Sequence, residues 1–398
     1  VNGLQPGHAV ESEVFHLPER EIGRVVGELP GPTLIAIAGI HGNERGGVTA
    51  ARRVLETLSR RDGVLRGEMV ALAGNLGALR QGRRYRLRDM NRVWTEETIA
   101  SLEARAKDDP TRSTLDEEEI EQLELLGAIR EAVARARGPV YLIDLHTTSA
   151  HGVPFVLFGD TLEQRRFAGA IPLPIVLGLE EQLDGVLSAY LTRQGVITCA
   201  VEGGQHDDPA SIDNLEAVLL LGAESAGMFG SARLAEAQAA HALLERRRGD
   251  LPRVMEVVSR HAITSEDGFV MEPGFLNIAR VRKDQLLARD RRGEIRAPKD
   301  GFVLLPLYQG QGSDGFFWGR EVGPAWLRLS EVLRKMRVER LLELLPGIER
   351  NPARPTQLVV DERLTKLYRV DMFHVLGYRR IRKATGTVTI ERQPDAFA

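Results

Sequence analysis

Four short stretches of this sequence combine residue types that can do chemistry together. His41-Gly42-Asn43-Glu44 sets an imidazole and a carboxylate three residues apart, between an apolar run at 33–39 and a helical pattern from Gly46. At a strand-to-helix turn the two can face one metal ion, and imidazole nitrogen with carboxylate oxygen suits Zn2+. The spacing alone is weak. His8 and Glu11, and His16 and Glu19, repeat it without that context, and a loop histidine near a helix N-terminus fits His41 equally well. The second candidate, His146, ends the run Val140-Tyr-Leu-Ile-Asp-Leu-His146, and a parallel sheet exposes its chemistry at such strand ends. His41, Glu44 and His146 would give three protein ligands and leave a fourth position open for water, as in catalytic zinc sites. Asp144 shares a strand face with His146, as a neighbouring polar group or, equally, as a helix cap or surface contact. His151 follows in a loop and lacks the strand-end position.

The stretch from Gly82 to Trp94 is rich in arginine, with Arg84, Asp89, Asn91 and Arg92 within it. A guanidinium fork suits bidentate carboxylate binding and can stabilise an oxyanion; a solvated loop with surface ion pairs is the competing reading. Glu202 ends another apolar run, Thr198-Cys-Ala-Val-Glu202, ahead of Gly203 and Gly204. A carboxylate beside a metal-activated water can take its proton and later deliver it to a leaving amine, although a strand-end Glu is commonly a surface residue. Cys199, inside that run, reads as a small buried hydrophobe. Ala223-Glu-Ser-Ala-Gly227 imitates a nucleophile elbow but lies in a helical pattern with no strand before it, which removes serine-hydrolase chemistry.

These residues need a scaffold of buried strands. Short apolar runs recur at 33–39, 69–73, 140–145, 153–158 and 196–201, the pattern of strands covered on both faces. Helical patterns at 46–58, 120–136, 183–194 and 212–229 alternate with them, which predicts an α/β domain with a mainly parallel sheet. Residues 1–30 read as an edge segment or hairpin, 100–119 as a solvated insertion, 235–249 as a charged connecting helix, and 327–345 as an amphipathic helix. From Pro252 the texture changes to short segments with Gly/Pro turns, a β-rich module to about Val322.

Composition bounds the rest. The chain has 398 residues, long enough for about two domains. Its 53 Lys+Arg against 56 Asp+Glu leave a formal charge of −3, so no global field favours nucleic acid or an acidic membrane surface. Short basic runs at 246–248 and 379–383 read as solvated helix ends. One cysteine excludes a disulfide framework and a Cys-rich zinc module. No apolar run approaches the ~20 residues of a membrane span, and no signal-peptide core opens the sequence. A cytoplasmic protein is the default expectation.

Taken in order, His41-Gly-Asn-Glu44, Arg84-Tyr85 with Asp89-Met-Asn-Arg92, Asp144-Leu-His146 and Val201-Glu-Gly-Gly-Gln205 resemble the succinylglutamate desuccinylase/aspartoacylase family. The likeness covers roughly 33–230, with a looser extension to about 322. It implies an α/β fold of the zinc-carboxypeptidase type, a mainly parallel or mixed sheet flanked by helices, with a smaller C-terminal β-rich module. It also implies one zinc ion per chain on His41, Glu44 and His146, with Glu202 as general base and acid. Arg84 is similar to the arginine that polarises the scissile carbonyl, Asn91 and Arg92 to the pair that holds a substrate carboxylate, and Asp89 to the carboxylate that orients His41. Arg193 lies near the place of a further carboxylate-binding arginine, one residue short. Tyr308 is out of step with the tyrosine the family draws from its β-module, and Asp314 stands where an aromatic is expected.

The expectation is therefore a zinc-dependent hydrolase of a linear amide, acting on a small N-acyl amino acid or related acyl-amine, without nucleic-acid or membrane partners and with an oligomer possible. The alternatives are a zinc carboxypeptidase on short peptides and a non-catalytic binding protein that keeps the fold. The expected organisation is a catalytic domain at 1–250, a β-rich module at 251–322 that shapes or covers the site, and an extension at 323–398.

Overall fold

The computed structural model describes residues 15–60, 65–230, 234–361, 363, 370–384 and 386–392. His8 and Glu11 fall outside them. The first strands in chain order are β1 (Glu21–Val26), β2 (Leu29–Ala38), β3 (Arg66–Ala73), β4 (Val140–Thr148), β5 (Phe155–Leu157), β6 (Ile175–Leu177) and β7 (Ile197–Gln205). In space β3, β2, β4 and β7 lie side by side and run parallel. β1 closes one edge antiparallel to β3, while β5 pairs antiparallel with β7 and parallel with β6.

The alternation of side chains along β2 shows why the sequence runs apolar there. Leu34, Ala36 and Ala38 face one layer, with the helices Gly46–Ser59, Pro209–Ser225 and Ala235–Arg248. Ile35 and Ile37 face the other, with Glu117–Arg135 and Leu187–Arg193. A strand with period-two side chains and cover on both faces has no polar position to spare. The helices start where their capping residues dictate: Asp116 and Glu119 form a capping box, and Asp208 caps a helix with Pro209 in its first turn. Residues 100–119 are more than a solvated insertion, because the helix Glu96–Asp108 buries Ile99 and Leu102. Among the described residues no helix is long and apolar enough to cross a membrane.

After Arg248 the chain adds β8 (Val254–Ala262), β9 (Val270–Met271), β10 (Ile278–Val281), β11 (Leu286–Asp290), β12 (Gly293–Arg296), β13 (Gly301–Leu304) and β14 (Asp314–Glu321). β8 pairs with β6, and β14, β13 and β10 follow, so the main sheet continues to eleven strands. β12, β11 and β9 make a separate three-stranded sheet. The amphipathic segment 327–345 is a helix at Pro324–Lys335, then a left-handed Arg337 and a 3-10 turn at Val338–Leu344. Finally β15 (Ile348–Arg350), β16 (Gln357–Asp361), β17 (Arg380–Ala384) and β18 (Thr387–Glu391) form an antiparallel sheet with its own core, including Leu358, Val360, Tyr378 and Ile390.

Buried charge joins this last sheet to the rest. Asp160 receives Arg165 Nε at 2.5 Å and Arg379 Nε at 2.9 Å, while Arg334 Nη1 donates to its backbone carbonyl at 2.7 Å. Glu256, on β8, receives Arg379 Nη1 at 2.6 Å and Arg320 Nη2 at 2.7 Å and faces His374 Nδ1 at 2.7 Å. Burial alone would raise both carboxyls. The guanidiniums around Asp160 hold it below the usual range, and His374 with Arg379 brings Glu256 down to about 2. Both acids therefore stabilise the fold fully above their unfolded values of about 4, and this contribution fades as pH falls towards 2. Asp160→Asn, which strands buried guanidiniums, is expected to cost about 3–5 kcal/mol, read as a lower urea midpoint. The deficit should shrink on acidification, and a midpoint unchanged at pH 7 would contradict it.

Candidate metal centre and its cavity

The end of β2 and the turn after it set the first two side chains. Gly42 fits there because a Cβ would lie 2.0 Å from the Ala78 backbone carbon, and its own N–H donates to the Arg84 carbonyl at 3.1 Å. The His41 turn and the arginine-bearing loop are thus in backbone contact. Glu44 N–H closes the turn on the His41 carbonyl at 3.1 Å. The third and fourth side chains follow from strand register, since His146 on β4 pairs with Glu202 on β7. In parallel neighbours such partners point to the same face.

His41, Glu44 and His146 are brought together and buried, with one ligand atom of each within 4.8 Å of the others. Glu44 Oε1 lies 2.8 Å from His41 Nδ1, and Oε2 lies 3.0 Å from His146 Nδ1 and accepts Thr147 N–H at 3.0 Å. The far nitrogens are also engaged: His41 Nε2 is 3.1 Å from Asp89 Oδ1, and His146 Nε2 is 3.0 Å from Asp144 Oδ2. An imidazole that donates from Nε2 to an aspartate turns a lone pair on Nδ1 towards Glu44, acceptor against acceptor. A proton or a metal cation between them relieves that opposition, and carboxylates behind metal-bound histidines are the usual orienting groups. The donor set therefore fits a divalent metal ion. The charges agree. Burial opposes ionisation of Glu44, yet His41 and His146 hold it well below the carboxylate range; burial opposes protonation of His146, yet Asp144 and Glu44 hold it well above the imidazole range.

Arg84 reaches the same centre, with Nη2 3.0 Å from Asp89 Oδ2 and Nη1 3.5 Å from Glu44 Oε1. Asp89 is half-buried, and although desolvation opposes its ionisation, His41 and Arg84 keep it well below the usual range. Burial pushes Glu202 up to about 8, opposed by His146 and reinforced by Glu44, and its Oε2 is buried without a hydrogen-bond partner. A cavity of about 130 Å³ opens on this group, lined also by Asn91 and Arg92 and walled by apolar residues such as Leu157, Leu183 and Phe317. Asn91 Oδ1 accepts the Leu187 N–H at 2.9 Å, which leaves its amide nitrogen for the cavity. Arg92 Nη2 is 3.0 Å from Asp314 Oδ2, which Arg260 also contacts.

Two candidates from the sequence lie elsewhere. Arg193, at the end of its helix, is 4.0 Å from Glu96 in a separate depression shared with Thr95 and Arg354, so it is not brought to the cavity. The one-residue offset matters because a helix turns about 100° per residue. Tyr308 turns outwards, its hydroxyl donating to the Glu272 carbonyl at 2.7 Å. Two lining carboxylates are not singled out by the sequence as site residues: Asp314, which stands out only as a departure from the family pattern, and Glu180, which follows a short strand hidden by Pro172 and Pro174, though the strand-end rule that marks His146 also applies to it.

Residues 30–224 match the family described as succinylglutamate desuccinylase/aspartoacylase catalytic domain. The succinylglutamate desuccinylase of Burkholderia pseudomallei is 28% identical over 273 residues, 65% of this chain and 70% of that protein. A succinylglutamate desuccinylase/aspartoacylase from Rhodobacter sphaeroides superposes with a TM-score of 0.55 at 17% identity, covering 76% of this chain and 88% of that one. The ectoine utilization protein EutE (DoeB) from Ruegeria pomeroyi, solved with product bound, gives 0.52 at 20% identity, covering 74% and 87%. At such identities the two structures speak for the fold.

The aspartate behind His146 provides a direct test of the centre. Asp144→Asn is expected to weaken divalent-metal affinity about 10–100-fold, measured by competition with a chelating dye, while His146→Ala should abolish it. Equal affinity in Asp144→Asn and the parent would remove the orienting role.

Proposed function

Because this chain belongs, through residues 30–224, to the succinylglutamate desuccinylase/aspartoacylase family of hydrolases, we propose that it is a zinc-dependent deacylase. Its substrate would be a small N-acyl amino acid or related acyl-amine, cleaved at the amide bond. The observation that carries this reading is the pairing of His146 with Glu202, which sets an unpartnered carboxylate oxygen beside the His41–Glu44–His146 set.

Zn2+ held by His41, Glu44 and His146 would supply Lewis-acid activation of both water and the amide carbonyl. Glu202 accepts the water proton as the C–O bond forms and returns it to the nitrogen as the C–N bond breaks, releasing a carboxylate and an amine. Its burial keeps the returned proton from being lost to solvent. Arg84, oriented by Asp89, directs a guanidinium N–H to the developing oxyanion. Asn91 Nδ2 and Arg92 hold the substrate carboxylate. Arg92 and Arg260 share Asp314, so the three together keep one positive charge for that purpose. The 305–314 segment lines the cavity as well, and this enclosure favours a small acyl amino acid over a peptide.

Incubation with a strong chelator is expected to abolish amine release from a panel of acetyl and succinyl amino acids, and Zn2+ should restore it. Glu202→Gln should retain the metal and lose about 10²–10⁴ in kcat with little change in KM. Arg84→Ala should lose about 10²–10³. Undiminished turnover by Glu202→Gln would exclude the assigned base.

A further inference from the structure

The cavity carries an imbalance of charge. Five carboxyl groups line it, Glu44, Asp144, Glu180, Glu202 and Asp314, against two guanidiniums, Arg84 and Arg92. Glu44 faces both imidazoles, Asp144 holds His146, Asp314 is shared by two arginines, and Glu202 stands at the reaction centre. Glu180 has no such assignment. It lies on the short helix Leu179–Gln182 just after β6, its Oε1 accepts the Ser188 hydroxyl at 2.6 Å, and its Oε2 is buried with no partner. Such an oxygen lacks the hydrogen bond that burial demands, which a ligand bringing a donor would supply. Burial raises its carboxyl above the usual range, and a bound cation would bring it back.

Its position says which half of a substrate it meets. Ser188, its partner, directly follows Leu187, whose N–H holds Asn91. Glu180 is thus tied through two consecutive residues to Asn91, beside which the α-carboxylate of the amine-bearing half would bind, with Leu183 and Val186 on the same segment walling the cavity, while Asp144 also acts on it. Arg193 acts on Glu180 from outside the cavity lining, so an acidic side chain here would meet the Glu180 carboxyl before that charge. We propose that Glu180 selects substrates whose amine half ends in a cation, namely N-acyl derivatives of basic amino acids with an aliphatic stem under an ammonium or guanidinium group. This assignment rests on the deacylase reading above.

The test compares Nα-acyl lysine and ornithine with neutral Nα-acyl norleucine and with Nα-acyl glutamate, each as acetyl and succinyl amides, on the zinc-loaded full chain. The basic substrates should exceed norleucine in kcat/KM by about 100-fold or more. Glu180→Gln should erase that ratio without a matching loss on norleucine, with an unchanged melting temperature as control. In parallel, calorimetry on the metal-free protein should show free lysine or ornithine binding to the parent and not to Glu180→Gln. Equal or better turnover of the norleucine or glutamate amides would overturn the proposal and leave the deacylase reading intact. This parent-enzyme ratio decides even if the variant fails to fold. Silence across the panel with lysine binding lost in Glu180→Gln would do the reverse; silence with no difference in binding would sink both.

Discussion

Glu44 holds each of its carboxylate oxygens against an imidazole nitrogen while only 2% of its surface is exposed. A carboxylate removed from water to that degree is tolerable only inside a complete set of partners. His41 and His146 provide the nearest of them, and each needs an aspartate to fix its ring, which adds two further negative groups. Arg84 answers one through Asp89. Removing any member leaves at least one neighbour short of a partner, so the members of the cluster are energetically coupled. A divalent cation is the charge that would complete it.

The fold delivers these groups through two devices with no freedom to slip. The first is register: shifting β7 by one residue against β4 would turn Glu202 to the opposite face and replace it with an apolar neighbour. The second is backbone contact between the His41 turn and the Ala78–Arg84 region, which only a glycine at position 42 permits. Both lie deep in the layers that bury the alternating faces of β2, so the geometry of the centre is secured by the same packing that stabilises the domain.

The sequence made much of this legible for a physical reason. Runs such as 33–39 and 140–146 are buried on both faces and cannot hide their strands, and the polar residue that ends such a run is conspicuous. His41, Glu44, His146 and Glu202 come from that rule, and the structure assembles them in one place. Asp144 stayed ambiguous because strand alternation tells which face a residue takes and not what stands opposite. Arg193 failed as a cavity residue because its direction depends on helix phase, which a one-residue offset rotates. Glu180 went unseen because two prolines disguise a three-residue strand. The final four-stranded sheet is equally hard to read, since its strands are three to five residues long and β16 pairs with β18 across a long connection.

Glu180 and Asp314 line the same cavity as the imidazole cluster but reach it by a different route. The end that holds the imidazole cluster is built from strand ends and their adjoining turns between residues 41 and 202, where local pattern and geometry coincide. The Arg92 end is built from contacts distant in sequence: Arg92 meets Asp314 across 222 positions, and Asp314 is placed by the pairing of β14 with β8. Because the main sheet runs on through β6 and β8 into β14, residues of the later strands reach the cavity without touching the imidazole cluster. Substitutions at 180–188 or 305–314 can then reshape the cavity wall while the groups around Glu44 keep their partners. The imidazole–carboxylate cluster and the later-strand wall of the cavity are separable in this scaffold for that reason.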